Sequence, residues 1–281
     1  KRTPPCTDTI IRERIAKVVY AMKDPNPLVD GAGTLRDAGI GVHGPTDKKA
    51  AESMNRRYIA NVMRKPIVAI KMAMSADGKT ATRTGDSRWI SGPESRKLVH
   101  KMRSESDAII VGAGTVKSDN PELTTHGKGK DPWRVIVDGM LSIPLDSKVI
   151  RNIDKRTIIA TTKRAKQSKL ACLRRMGIGA YICGDDRVDL EKLVQGLSAM
   201  GMKRILIEGG NGLNAAALDA GIVDKLYIFI APKLIGGKDA KPVIGGLGIG
   251  SMKDAIGLSK AKMRRIGSDI LLEYEVERGK K

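Results

Sequence analysis

Aromatic residues are scarce in this chain: one Phe, two Trp and five Tyr among 281 residues. So few rings leave little on which single-stranded bases could stack. Cysteine is scarcer still, at three (Cys6, Cys172 and Cys183). An odd count without regular spacing does not make a secreted disulfide framework and fits a reducing, cytoplasmic setting. No apolar run approaches the roughly 18–20 residues that span a bilayer. The polar, proline-rich start lacks the charged, apolar and small-residue order of a signal peptide. The histidines His43, His100 and His126 have no zinc-site spacing, and His100, mid-helix, reads as a packed or surface residue rather than a ligand. The P-loop pattern G-x-x-x-x-G-K-[ST] and the nucleophile elbow G-x-S-x-G are both missing.

What is abundant is positive charge: 51 Lys+Arg against 31 Asp+Glu, a formal +20. Such an excess suits nucleic acid, because Lys and Arg replace counterions along a phosphate backbone. The basic residues are nonetheless interleaved with acids ("RRYIANVMRK", "KAKMRR"). They read as a solvated surface that favours phosphorylated small molecules, with a basic nucleic-acid-binding protein as the alternative of another class. At 41% hydrophobic residues the chain can bury one large core or two ordinary ones.

Residues 1–46 predict two short helices ("TIIRER", "GAGTLRDAG") and two short strands ("AKVVYAM", "IGV"), with a turn at "DPNP" where proline biases its predecessors away from helix. Such a segment is too small to be stable without help. Residues 47–65 predict a connecting helix. From Pro66 onward strands alternate with helices. "PIVAIKMAM", "DAIIVG", "WRVIVDG", "RTIIATT", "AYIC", "RILIEGG", "DKLYIFIAP" and "SDILLEYEV" read as strands. "PESRKLVHKMRSES", with Ser91 as its expected N-cap, "SKLACLRRMG", "DLEKLVQGLSAM" and "GLNAAALDAG" read as helices. This rhythm predicts an α/β domain whose mainly parallel sheet is covered on both faces.

Ligands of open α/β sheets collect beyond the carboxyl ends of the strands. In "VGAGTV", Gly112 and Gly114 allow a backbone to approach a phosphate, although Lys117 stands where a dinucleotide fingerprint needs its third glycine. In "IEGGNGLNAA" a glycine cluster opens a helix, which suits an anion, and Glu208 at the strand end suits a hydroxyl. A tight turn is the plain reading of both. The polar stretch "KMAMSADGKTATRTGDSRWISG" places Trp89 in a loop, either as core or as the wall of a flat-ligand pocket. "APKLIGG" reads as turns.

Taken together, "KMAMSADGKTATRTGDSRWISG", "VHKMRSESDAIIVGAGTVKSDNPELT" and "LIEGGNGLNAA" resemble the reductase domain of the bifunctional riboflavin-biosynthesis deaminase/reductase family. The resemblance implies a dihydrofolate-reductase-like fold over residues 66–281. It also implies NADPH as cofactor, with reduction of 5-amino-6-(5-phosphoribosylamino)uracil to its ribitylamino product. It places Ala73, Trp89, Thr115, Asp119, Thr161 and the turn Gly210, Asn211, Gly212, Leu213, Asn214, Ala215 and Ala216 at the cofactor. Lys71, Ser87, Arg103, Leu123, His126 and Glu208 fall at the substrate, with Lys71 as the candidate proton donor. The family's "LTVR" is "LTTH" here, so His126 stands where an arginine usually binds phosphate. The start, "RTPPCTDTII", resembles the end of a zinc deaminase motif. Residues 1–46 are accordingly expected to be the remnant of a cytidine-deaminase-like domain, with Cys6 as an orphan zinc ligand. One thiolate cannot hold a catalytic zinc, so zinc and deamination are expected only with a complete deaminase domain. A cytoplasmic homo-oligomer acting on a phosphorylated small molecule completes the expectation. The rival enzyme is the related stand-alone reductase that acts on the diaminopyrimidinone before deamination.

Overall fold

The computed structural model describes residues 6–25, 29–56, 58–59, 65–151 and 154–277. They form two compact units, one of Lys1–Lys65 with Gln195–Met202 and one of Pro66–Val194 with Lys203–Lys281.

In the first unit α1 (Cys6–Arg12), β1 (Lys17–Val19), α2 (Gly31–Asp37), β2 (Gly41–His43) and α3 (Lys48–Met54) follow one another. β1 and β2 pair in parallel from Lys17↔Gly41 to Val19↔His43. Asp30 caps α2 by accepting from Gly33 N at 2.9 Å, and Asp47 caps α3 by accepting from Ala50 N at 3.1 Å. Each carboxylate satisfies an amide that the first helical turn leaves free. The strand expected to be buried at "AKVVYAM" is half-exposed and three residues long. Most of the connecting helix expected after Met54 lies outside the described residues.

The second unit is built on β3 (Ile67–Ser75), β4 (Lys79–Ala81), α4 (Pro93–Ser104), β5 (Ala108–Gly112), α5 (Ala113–Asp119) and β6 (Trp133–Val137). It continues through α6 (Lys148–Arg151), β7 (Thr157–Thr161), α7 (Gln167–Arg175), β8 (Gly179–Ile182), the first half of α8 (Leu190–Ala199), whose residues from Gln195 belong to the first unit, and β9 (Arg204–Ile207). α9 (Asn211–Asp219), β10 (Lys225–Ala231), β11 (Lys241–Pro242), β12 (Leu258–Ile266) and β13 (Asp269–Val276) complete it. Nine strands form one sheet in the order β12-β13-β10-β3-β9-β5-β6-β7-β8. From β10 to β8 every pairing is parallel, and β13 runs antiparallel to both neighbours.

Burial follows position in the sheet. β7, "TIIAT", is buried at every residue, as a central strand covered on both faces must be. Ile109, Ile136, Ile159 and Leu173 share one core cluster, and Leu173→Ala at that seam should cost about 2–5 kcal/mol. A second cluster packs α4 through Val99 onto Phe229 of β10 and Leu271 of β13. β12, unforeseen in the sequence, is an edge strand with most residues exposed. Its basic "KAKMRR" hides the apolar alternation of an inner strand and blunts an edge.

α4 corrects one expectation. Its N-cap is Gly92 rather than Ser91. The cap comes from across the fold: buried Asp269 accepts from Gly92 N at 2.7 Å and from Ser95 Oγ at 2.6 Å. A carboxylate there also meets the positive end of the helix dipole.

Candidate functional site

β5 and β9 are neighbours in the sheet, yet the chain leaves β5 toward β6 on one side and β9 toward β10 on the other. Where two adjacent strands send the chain in opposite directions, a crevice opens beyond their carboxyl ends. α5 begins there at Gly112 and α9 at Gly210, and neither helix start has a side-chain cap. A Cβ on Gly210 would lie 3.5 Å from Thr115 Oγ1, and one on Gly112 would lie 3.9 Å from Leu213 Cβ. The two helix starts thus face each other, and their free amides make a site for anions. Gly209 is obligatory: a Cβ there would sit 2.9 Å from Leu213 Cβ. These are features of a cradle for a phosphate-bearing cofactor, and the donors suit a pyrophosphate.

Individual cofactor candidates differ in what they offer. Gly212 and Ala216 are exposed on α9. The Asn211 carbonyl accepts from Gly245 N at 3.0 Å. Asn214 turns inward, donating to Val243 O at 3.0 Å, while its buried Oδ1 has no partner. Ala215 is buried. Thr161, also buried, donates to Gly139 O at 3.0 Å. Ala73 lies on β3 opposite Phe229, and Asp119 is exposed at the end of α5.

Trp89 is 65% exposed, so it is not core. Three cations hold its loop. The Arg96 guanidinium lies 4.6 Å from the indole centroid and donates to Ser91 O at 2.7 Å. Lys233 Nζ donates to Trp89 O at 2.6 Å, and Arg88 Nη2 to Asp119 O at 3.3 Å. Ser87 is half-buried in the same loop.

Two of the substrate candidates are joined directly. Glu208 follows β9 and takes a two-pronged bond from Arg103 of α4, Nε to Oε1 at 2.7 Å and Nη2 to Oε2 at 2.9 Å. Arg103 Nη1 also donates to Thr124 O at 3.1 Å. Burial works against the charge on both groups, but their mutual attraction wins. It holds Glu208 below the usual carboxylate range, with Lys71 and His100 adding to the pull, and raises Arg103. Lys71, on β3, has its Nζ 5.9 Å from the Phe229 ring centroid. Burial pushes its pKa down, Glu208 opposes this, and Arg103 reinforces it. A desolvated lysine of that kind gives up a proton more readily than an ordinary one. Leu123 is buried in a left-handed conformation (φ 55°). His126 is exposed, also left-handed (φ 51°), and its ring meets His100 edge to face at 4.7 Å between centroids.

His100 is packed, as one of its two sequence readings had it, but the sequence did not show that it packs within this cluster. The missed signal was spacing: Arg96, His100 and Arg103 recur at four and three residues, one stripe along α4. Burial lowers the pKa of His100, and Arg103, His126 and Lys128 lower it further against the pull of Glu208. Asp77 was missed as well. It accepts from Ser75 Oγ at 2.6 Å, Ile235 N at 3.1 Å and Gly236 N at 2.7 Å. Those donors pull its pKa down to about 2 and tie the β3–β4 turn to the loop after β10. Cys6 is exposed, and among the described residues no group of three or more His, Cys, Asp or Glu could hold a metal ion.

The family described as RibD C-terminal domain matches residues 66–272. The chain belongs to that family. It is 42% identical over 282 residues to the riboflavin biosynthesis protein RibD of Actinobacillus pleuropneumoniae, an alignment covering 98% of this chain and 75% of that protein. It is 40% identical over 217 residues to the 2,5-diamino-6-ribosylamino-4(3H)-pyrimidinone 5′-phosphate reductase of Methanothermobacter thermautotrophicus, covering 76% of this chain and 99% of that one. Among solved structures, RibD of Acinetobacter baumannii superposes with a TM-score of 0.68 at 29% identity, over 99% of this chain and 78% of that chain. The fold is an α/β arrangement on a mainly parallel sheet, as expected, and the chain is a reductase of riboflavin biosynthesis. No helix among the described residues is long and apolar enough to cross a membrane.

Proposed function

We propose that this chain reduces the ribosyl group of 5-amino-6-(5-phosphoribosylamino)uracil to an open ribityl chain, using NADPH. The observation that carries the reading is the Arg103–Glu208 pair with Lys71 in its field, set beside two uncapped helix starts. NADPH, when bound, supplies the hydride, which goes to carbon 1 of the ring-opened sugar. The helix starts of α5 and α9 hold its phosphates, and Trp89 lines its flat end. Arg103 uses one lone pair on each carboxylate oxygen of Glu208, which leaves the others free for ribose hydroxyls. Lys71 delivers the proton, because burial weakens its hold on it. His126, with Lys128 nearby, meets the phosphate.

The uracil substrate is supported by the extent of the likeness to RibD, which runs through the first 65 residues as well as the reductase part. The diaminopyrimidinone is the second reading, favoured by the similar identity to a protein named for that reaction. Purified protein with NADPH and each substrate separates them: turnover of the diaminopyrimidinone alone would reverse the assignment.

A homo-oligomer is part of the same reading. The register places Met263, Leu272 and Ile270 on one face of β12–β13. Met263 is 73% and Ile270 41% exposed there, and exposed apolar patches of this kind mark interfaces. Light scattering after gel filtration, returning the mass of a single chain, would remove it. A cytoplasmic setting is supported by three cysteines that are all free. Deaminase activity would need zinc ligands beyond Cys6.

A further inference from the structure

The backbone around His126 is tightly held. Asp131 Oδ1 accepts from Thr125 N at 2.7 Å and from Thr125 Oγ1 at 2.8 Å, and Lys128 N donates to Thr125 O at 3.2 Å. What these bonds leave free is the direction of the exposed imidazole itself. An arginine could reach a phosphate from many rotamers with a charge that never leaves it. A histidine is shorter and offers two nitrogens at fixed angles, so its ring has to be aimed.

The ring that aims it belongs to His100. His100 projects from the polar stripe of α4, and its ring meets that of His126 at 4.7 Å with an interplanar angle of 80°. In such an edge-to-face contact the positive edge of one ring lies on the electron-rich face of the other. The Nδ1 of His100 is buried and has no hydrogen-bond partner. Hydrogen bonding at Nδ1 therefore does not explain why His100 sits here. The ring contact does.

We propose that His100 is a positioning residue for the phosphate end of the substrate, acting through its ring to hold His126 toward that phosphate. The proposal rests on the reading that His126 faces the phosphate. The groups around His100 agree with it. Arg103 on its own helix, His126 and Lys128 on the facing loop all oppose a charge on His100, and only Glu208 favours one. Burial opposes that charge most of all, so the two rings meet with less repulsion than a charged His100 would bring.

The test is a double-mutant cycle read by calorimetric titration of the full chain with ribose 5-phosphate, and with ribose as the uncharged control. His100→Ala and His126→Ala should each weaken ribose 5-phosphate binding roughly tenfold. The double variant should also be weakened roughly tenfold rather than a hundredfold, because removing the ring matters only while His126 is present. His100→Phe, which keeps the ring and discards the unpartnered nitrogen, should bind within about twofold of the parent and melt at a higher temperature. It also guards against an Ala variant that fails to fold. Steady-state kinetics should show KM for the phosphorylated substrate rising in His100→Ala while kcat and KM for NADPH stay unchanged. Additive losses in the double variant, or a His100→Phe as weak as His100→Ala, would overturn the proposal while leaving the phosphate reading intact. Unchanged binding in His126→Ala would overturn both.

Discussion

The two halves we propose for the site, one for cofactor and one for substrate, are made of different material. The cofactor half is backbone: two helix starts that face each other, with glycine where a side chain would collide. The substrate half is side chain: Arg103, Glu208, Lys71, His100 and His126 come from four separate stretches of sequence and meet only in the fold. A backbone cradle recognises charge and shape with groups that cannot be mutated away individually. A side-chain cluster recognises one substrate and depends on each member. Damage to the first should show in the affinity for NADPH, and damage to the second in turnover and substrate affinity.

The largest effect should come from breaking the carboxylate–guanidinium pair. Both partners are largely shielded, at 14% and 8% side-chain exposure, so Arg103→Ala leaves a buried charge without its partner and should cost about 3–5 kcal/mol of stability. Glu208→Gln keeps the shape and should lower kcat/KM by about a hundredfold or more with little change in KM for NADPH. Equal loss on both substrates' KM values would blur the division of the site. Next in size is Gly209→Ala. With Leu213 Cβ 2.9 Å from the new methyl, the turn into α9 must shift, and KM for NADPH should rise about tenfold while the riboflavin precursor's KM stays put.

Lys71 gives a subtler test through pH. Its pKa is lowered, chiefly by burial, so the protonated form is lost below the ordinary lysine value of about 10.4. As the required proton donor, it should make kcat fall with rising pH along a limb earlier than that value. Lys71→Arg should remove the limb and slow the reaction. A profile flat through pH 10 would exclude the role. The smallest effect should be at Asp77, whose pKa sits near 2 against about 3.9 when unfolded. A depressed carboxylate stabilises the fold fully above the unfolded value, and that contribution disappears as pH falls through about 2. Asp77→Asn should therefore lower the melting temperature at neutral pH and converge on the parent in strong acid, which thermal scans across pH would show.

The backbone half was the more legible of the two. "VGAGTV" and "IEGGNGLNAA" announce strand, glycine and helix start in one continuous string, and the folded chain puts them side by side. Of the substrate residues carried over by resemblance, Arg103 and Glu208 are paired and Lys71 lies in their field. The failures have one cause. Ser91 looked like the cap of α4 because a local hydroxyl usually serves, whereas Asp269, a hundred and more residues away, does so instead. The place of His100 in the cluster was hidden because its partner His126 lies in a loop, and the role of Asp77 because its donors follow β10. β12 went unseen because an edge strand carries no apolar alternation.

Sequence alone settled the class of fold and the glycine turns at two helix starts, since apolar periodicity and glycine placement act over a few residues. The family followed from motifs of the same short range. Only the tertiary structure decided which charges face each other. Pairing energies depend on separation and burial, and neither is defined until the sheet brings α4, β3, β9 and the His126 loop to one end of the molecule.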